Sequence, residues 1–142
     1  LEHVETAHRV RGGGQLGQRC RRRLAGTVVA RAAEVSGATL DDFDALCAHL
    51  ATMHPSRYLT LIEGVTAVFI AGVEQVHDQA VALRIVALTD RLYDAGIPVE
   101  ASGAKLDTIF DDEMVAGGFR KKYLRATSRL LALSAAPLPS SL

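Results

Sequence analysis

Leu83-Arg84-Ile85-Val86-Ala87-Leu88-Thr89-Asp90-Arg91-Leu92-Tyr93-Asp94, continuing through Gly96 and Pro98 into Val99-Glu100-Ala101-Ser102-Gly103, decides the fold class of this 142-residue chain. Val81, Ile85, Leu88 and Leu92 fall at i, i+4, i+7 and i+11, the spacing of one apolar stripe on a helix, while Asp90, Arg91 and Asp94 lie on the far side. Gly96 suits the left-handed position just past a helix end, and Pro98 prevents the helix from continuing. Upstream, Thr66-Ala67-Val68-Phe69-Ile70 is a β-rich run. Parallel strands of one sheet need a crossover of roughly a dozen residues or more, and a helix at 78–95 supplies it. The expected class is therefore α/β: a partial parallel sheet with at least one β-α-β unit, strands near 66–70 and 97–102 around helix 78–95. Helices near 41–51, 55–63 and 119–133 flank it.

Working outward, Thr27-Val28-Val29-Ala30-Arg31-Ala32 reads as a strand ended near Ser36-Gly37. In the helix after it, Thr39 and Asp42 form a capping box, Asp41, Asp42 and Asp44 favour its positive start, and Phe43, Leu46, Cys47 and Leu50 face inward. Pro55 suits the first turn of the next helix, which turns Tyr58, Leu61 and Ile62 inward and stops at Gly64. Beyond Ser102, Lys105 to Phe110 leads into the acidic Asp111-Asp112-Glu113, and Gly117-Gly118 breaks the chain. The last helix is expected to bury Phe119, Tyr123, Thr127, Leu130 and Leu131; it carries five basic residues and no acidic one. Three stretches follow from this: a basic, Gly/Arg-rich, mobile arm at 1–25, an α/β segment at 26–134, and a disordered tail at 135–142 with Pro137 and Pro139.

A chain of this length buries enough surface for a real core, and 49% apolar residues are ordinary for one domain. Charges balance at 16 against 16, although residues 1–23 hold six arginines against Glu2 and Glu5. A global pull toward nucleic acid is not indicated. Cys20 and Cys47 form neither a metal-spaced pair nor a disulfide framework, which points to a reducing, cytoplasmic setting. No apolar run approaches the roughly 18 residues of a membrane span, and no apolar segment of a signal peptide follows the basic start.

Gly12-Gly13-Gly14-Gln15-Leu16-Gly17 satisfies the letters of G-x-G-x-x-G, but His8-Arg9-Val10-Arg11 precedes it where a dinucleotide site needs an apolar strand, so a flexible turn is expected. A Walker A sequence is absent from the 142 residues. Cys47 lies on the apolar face with Phe43 and Leu50, which favours a core thiol over a nucleophile served by His49 or His54. His49, His54 and His77 make no recognised ligand set, so no metal is expected, nor any catalytic residue. Lys122, Arg125 and Arg129, at i, i+3 and i+7, project to one side of the last helix. An ion-paired or solvated face is the plainer reading of that stripe, since cations late in a helix are favoured by its dipole. The sharper one is that Arg125 and Arg129 hold a phosphate or an acidic partner surface bidentately. Arg84 and Asp90 beside the buried stripe either pair locally or orient a neighbouring domain.

Several phrases, read in order, resemble a known family. They are Phe43-Asp44-Ala45-Leu46-Cys47, Arg57-Tyr58-Leu59, the β run at 66–70, Arg84 to Asp94, Ala101-Ser102-Gly103, Ile109-Phe110 and Arg125-Ala126-Thr127-Ser128-Arg129-Leu130. Together they resemble the C-terminal part of the ZapE-like, lactation-elevated-type AAA+ ATPases over roughly residues 40–133. The resemblance implies a P-loop ATPase, with ATP and magnesium as cofactors of the parent family only. It also implies a role in bacterial cell division with the division-ring protein FtsZ, or in mitochondrial protein quality control. The chain departs from the family's usual residues at Arg57, at Leu83 to Val86 and at Gly103, where the family reads Asp, Arg-Arg-Phe-Ile and Ala. In the family, Walker A and Walker B lie N-terminal to this region, so this segment is expected not to hydrolyse ATP alone. Its expected role is the C-terminal, non-catalytic portion of such an ATPase, a fragment or truncated member, working with an N-terminal ATPase core or other protomers. The alternative is a stand-alone protein- or nucleic-acid-binding module without enzymatic activity that uses the basic arm.

Overall fold

A computed structural model describes residues 27–139; the Gly/Arg-rich arm, its glycine motif and Cys20 lie outside the described residues. The first element is helix α1 (Thr27–Ala33), where the β-branched run Val28-Val29 had suggested a strand. Ala32 and Val35 are buried and Val28 and Val29 partly so, because the segment packs as a helix over one face of the sheet. There it meets Ala38, Leu40, Ala67, Phe69 and Ala71, and the three alanines leave room for a helix backbone to come close.

Strand β1 (Ala38–Asp42) occupies the stretch read as a helix start. Thr39 and Asp41 are therefore strand residues, and the expected capping box does not form. Helix α2 begins at Phe43 instead (Phe43–Leu50): Asp42 caps it by accepting from the Ala45 N–H at 3.1 Å, with Asp44 in the first turn. The two aspartates disguised the strand. Asp41 is wholly buried and Asp42 nearly so, and both are engaged in polar or electrostatic contacts that make such burial tolerable.

A 3-10 turn (Pro55–Arg57) and a single turn of helix, α3 (Tyr58–Leu61), share the segment expected as one helix. Tyr58 and Ile62 are buried, and the Tyr58 hydroxyl donates to the Leu50 carbonyl at 3.0 Å, tying this segment to the end of α2. Strand β2 (Ala67–Val73), the crossover helix α4 (Gln79–Ala95) and strand β3 (Val99–Gly103) complete the expected β-α-β unit. Gly96 ends α4 at φ 66°, the left-handed conformation its position predicted. Asp78 caps the other end, accepting from the Val81 N–H.

The sheet order is β1-β2-β3, all parallel, with Ala38 opposite Ala67 and Val68 opposite Val99. Both crossovers run in the same sense across the sheet, so right-handedness places α2, α3 and α4 on one face, opposite α1. That face carries the main core: Val68, Ile70 and Val99 from the strands against Leu46, Leu50, Ile85, Leu88 and Leu92. Ala82, Val86 and Thr89 are buried too, a wider face than one stripe, because α4 packs against other helices as well as the sheet.

After β3 come a 3-10 turn (Leu106–Thr108), the short helix α5 (Asp112–Ala116), which the sequence reading had missed, and helix α6 (Arg120–Ala135). α6 buries Tyr123, Ala126, Leu130 and Leu133 against α4 and β3. Phe119 and Leu131, expected inside, are 36% and 44% exposed, since the buried stripe runs through Ala126 and Leu133 instead. The helix extends through Ala135, the first residue of the expected tail, and Leu138 beyond it packs against the α1 side of the sheet.

At the end of β3 the two strands close tightly. The register shifts between Ile70 and Val73, and the Ser102 hydroxyl accepts from the Gly72 N–H at 3.2 Å. Gly103 has φ 100°, and a Cβ there would sit 2.5 Å from the Val73 carbonyl oxygen. Only glycine fits this close approach.

Candidate functional site

Of the residues that sequence reasoning singled out, the seam between α4 and α6 gathers Asp90, Arg125 and Arg129. Asp90 and Arg129 lie 39 residues apart in the chain, and the burial of Leu92 and Leu130 in one core brings their helices together. Arg129 Nη1 donates to Asp90 Oδ1 at 2.6 Å; Arg125 Nη2 lies 3.7 Å from Asp90 Oδ2. The Arg129 guanidinium also stands 4.7 Å from the centroid of the Tyr93 ring. One carboxylate thus faces two guanidinium groups, with an aromatic face closing the side of one of them. Asp90, expected on the side of α4 away from the apolar stripe, turns toward α6 instead.

The two arginines differ in what they have left to offer. Arg129 is 28% exposed and held by a short charge-assisted hydrogen bond and by Tyr93. Arg125 is 50% exposed and only loosely paired. Of the pair, Arg125 has free donors facing solvent, and a fork of guanidinium N–H groups suits phosphate or carboxylate. Lys122, the third member of the stripe, is turned over the Phe119 ring at 5.3 Å. Tyr93 carried no signal for this role, because an aromatic at the edge of a helix stripe reads equally well as packing.

Arg84 lies elsewhere on α4, near Tyr58, where its charge opposes the effect of burial, which raises the Tyr58 pKa. Cys47 is packed beside the main core, and its thiol is pushed up to about 12, first by burial and then by the neighbouring charges of Asp44 and Asp42. Burial and those two charges work against a thiolate there at neutral pH. His54 Nδ1 accepts from the Ser56 N–H at 3.1 Å and is spent on capping the turn at Pro55. Among the described residues no group of three or more His, Cys, Asp or Glu side chains could hold a metal ion.

A second polar cluster, not foreseen, lies at the carboxyl ends of β2 and β3. His77 Nδ1 is 3.0 Å from Asp111 Oδ2, while Asp111 Oδ1 accepts from the Met114 N–H at 2.9 Å as the cap of α5. The Met114 N–H, then His77, hold the Asp111 carboxyl below its usual range. Asp111 in turn acts with burial to raise the pKa of the Tyr123 phenol, burial being the larger cause. The only sequence signal was the acidic run Asp111 to Glu113, and nothing in it pointed to His77.

The family model for the AFG1-like ATPases matches residues 15–138. The chain belongs to the AFG1-like ATPase family. No curated protein and no solved structure matches it significantly. Within this AFG1-like chain no helix among the described residues is long and apolar enough to cross a membrane.

Proposed function

We propose that this AFG1-like chain serves as a C-terminal, non-catalytic part of an ATPase of its family, bracing an ATPase core or a neighbouring protomer. ATP and magnesium belong to that core, since no Walker A sequence stands in these residues. The observation that supports the reading is the outer face of α6. Arg125 is half exposed beside a cation-rich first turn, Arg120, Lys121 and Lys122, with no acidic residue in the helix, and Leu124 and Leu131 are 40% and 44% exposed along it. Basic groups interleaved with exposed leucines suit an acidic protein surface or a phosphate at the edge of one. The asymmetry of the clamp makes Arg125 the contact and Arg129 the residue that orients α6.

The cell-division and quality-control roles, with FtsZ among the partners, and a cytoplasmic setting are the finer part of this proposal and rest on the resemblance of the phrases above. The test is charge reversal: Arg125→Glu should abolish association with an AFG1-like core containing Walker A and Walker B, with the fold intact by circular dichroism. Unchanged association and unchanged ATPase rate in that variant would remove the proposal.

A further inference from the structure

The two edges of the sheet are unlike. Each of the five residues of β1, Ala38 to Asp42, is at most 3% exposed, although β1 is an edge strand. β3, the opposite edge, is also packed by two helices, α1 and α6, and still leaves Glu100, Ala101 and Ser102 partly exposed and Gly103 exposed. The described elements packed most against β1 are β2 on its inner side and α1 and α2 over its faces, so helices on the faces do not account for the difference. A bare strand edge presents unpaired N–H and C=O groups, and proteins cover such edges with other segments of chain. The burial of β1 therefore calls for a segment along its outer side.

The charge on this edge says which segment. Asp41 and Asp42 belong to opposite faces of the strand, as sequence neighbours in a strand do. Asp41 lies with Thr39 toward Leu46, Leu61 and Val68, while Asp42 caps α2. A carboxylate in apolar surroundings stays ionised only with a cation or several donors beside it, and Asp41, wholly buried, is engaged in a polar or electrostatic contact. Between Arg23 and Arg57 the sequence holds a single Lys or Arg, Arg31, and its guanidinium is committed to Glu100 on β3. The next cations toward the N terminus are Arg19-Cys20-Arg21-Arg22-Arg23, four arginines in five residues.

We propose that the Arg19–Arg23 run lies extended along the outer edge of β1, meets its outward N–H and C=O groups, and pairs with Asp41 and Asp42. This clasp within one chain closes the sheet to any further strand on that side. The reach is sufficient: from Arg23 to the start of α1 at Thr27 the chain can extend about 14 Å, neighbouring strands lie about 4.8 Å apart, and α1 itself packs on Ala38 and Leu40. The pattern fits as well, because consecutive residues of an extended segment alternate sides, so adjacent arginines meet Asp41 on one face and Asp42 on the other. A guanidinium, weakly hydrated and forked, is the cation best suited to a buried carboxylate. The inference is independent of the supporting role proposed above, which uses the outer face of α6.

Amide hydrogen exchange on the full ¹⁵N-labelled chain tests it. In the parent, the β1 amides that point away from β2 should be protected as those of central β2 are, and more than the outward amides of β3. Replacing Arg19, Arg21, Arg22 and Arg23 with alanine should speed their exchange about tenfold or more, as loss of charge-assisted hydrogen bonds implies, and leave β3 unchanged. Trypsin gives a second readout: Asp41→Asn with Asp42→Asn should release the run, so that cleavage after its arginines accelerates while the circular dichroism stays that of the parent; asparagine keeps the cap of α2. Outward β1 amides of the parent that exchange as fast as those of β3, or folded variants with unchanged exchange and cleavage, overturn the proposal. Protection that fades on dilution assigns the cover to a second copy of the chain and overturns it too.

Discussion

Asp90→Ala should cost this chain about 2 kcal/mol, and nearly all of that through Arg129. A hydrogen bond to a charged group is worth about 1.5–3 kcal/mol, and the 2.6 Å contact with Arg129 lies in the part-buried seam, where water screens it incompletely. The contact with Arg125 spans 3.7 Å at a half-exposed side chain and should add less than about 0.5 kcal/mol. The deletion also leaves the Arg129 charge unpaired, against only Tyr93. Arg129→Met keeps much of the packing while removing the charge, and in the double variant only the loosely paired, half-exposed Arg125 loses its partner. The two single losses should therefore overlap, with the double variant about 1–1.5 kcal/mol more stable than their sum. Urea unfolding of the four proteins measures this, with the slope checked for constancy; the single loss should also appear as a fall in Tm of roughly 8 °C. Losses that simply add, or an Asp90→Ala cost below about 0.5 kcal/mol, would refute the clamp. In a matching cycle with Arg125→Met, a larger coupling to Asp90 than Arg129 shows would reverse the assignment of roles on α6.

Gly103→Ala restores the alanine that the family resemblance expects there, yet it should destabilise by about 2–3 kcal/mol, because the new Cβ meets the Val73 backbone at a φ that disfavours side chains; a neutral or stabilising effect in urea unfolding would contradict the tight closure of β2 on β3. Cys47 favours its protonated form when folded, with a pKa about 12 against 9.0 for a free thiol, so its contribution is intact below pH 9 and stability falls as pH rises from there toward 12. In a Cys20→Ser background the thiol should also resist alkylation at pH 8 until urea unfolds the chain, and rapid alkylation of the native protein would sink that reading. The Asp111 carboxyl has the opposite sign: its contribution is present above the ordinary carboxylate range and is lost as pH falls through the lowered folded value. Carboxyl NMR on His77→Ala should show Asp111 titrating closer to its usual range but still below it, since the Met114 N–H is the larger cause; no movement at all would dismiss the His77 contact.

The crossover helix was legible because its period, its closing glycine and the β runs on either side all agreed. Where two levels conflicted, the sequence misled. Val28 and Val29 have strand propensity, but the alanine-lined sheet face beneath them accepts a helix. Asp41 and Asp42 look like the positive end of a helix and are buried in an edge strand, a placement set by tertiary contacts that propensity does not register. The phase of α6 was off because Ala126, a small residue, carries the buried stripe while Phe119 and Leu131 do not. The stripe of Arg125 and Arg129 could be seen, but its division into a clamped and a half-free arginine depends on Asp90, which reaches it only through folding. The pairing of His77 with Asp111 was hidden in the same way.

The proposed supporting role predicts that this AFG1-like chain raises the turnover of an ATPase core without turning over ATP itself. Steady-state ATP turnover by an AFG1-like core carrying Walker A and Walker B, measured with increasing amounts of this chain and beside the chain alone, tests it most directly. The predicted result is no turnover by the chain alone and a saturable rise in the core's rate, lost with Arg125→Glu. Turnover by the purified chain, or a core whose rate is indifferent to it at saturation, would contradict the claim.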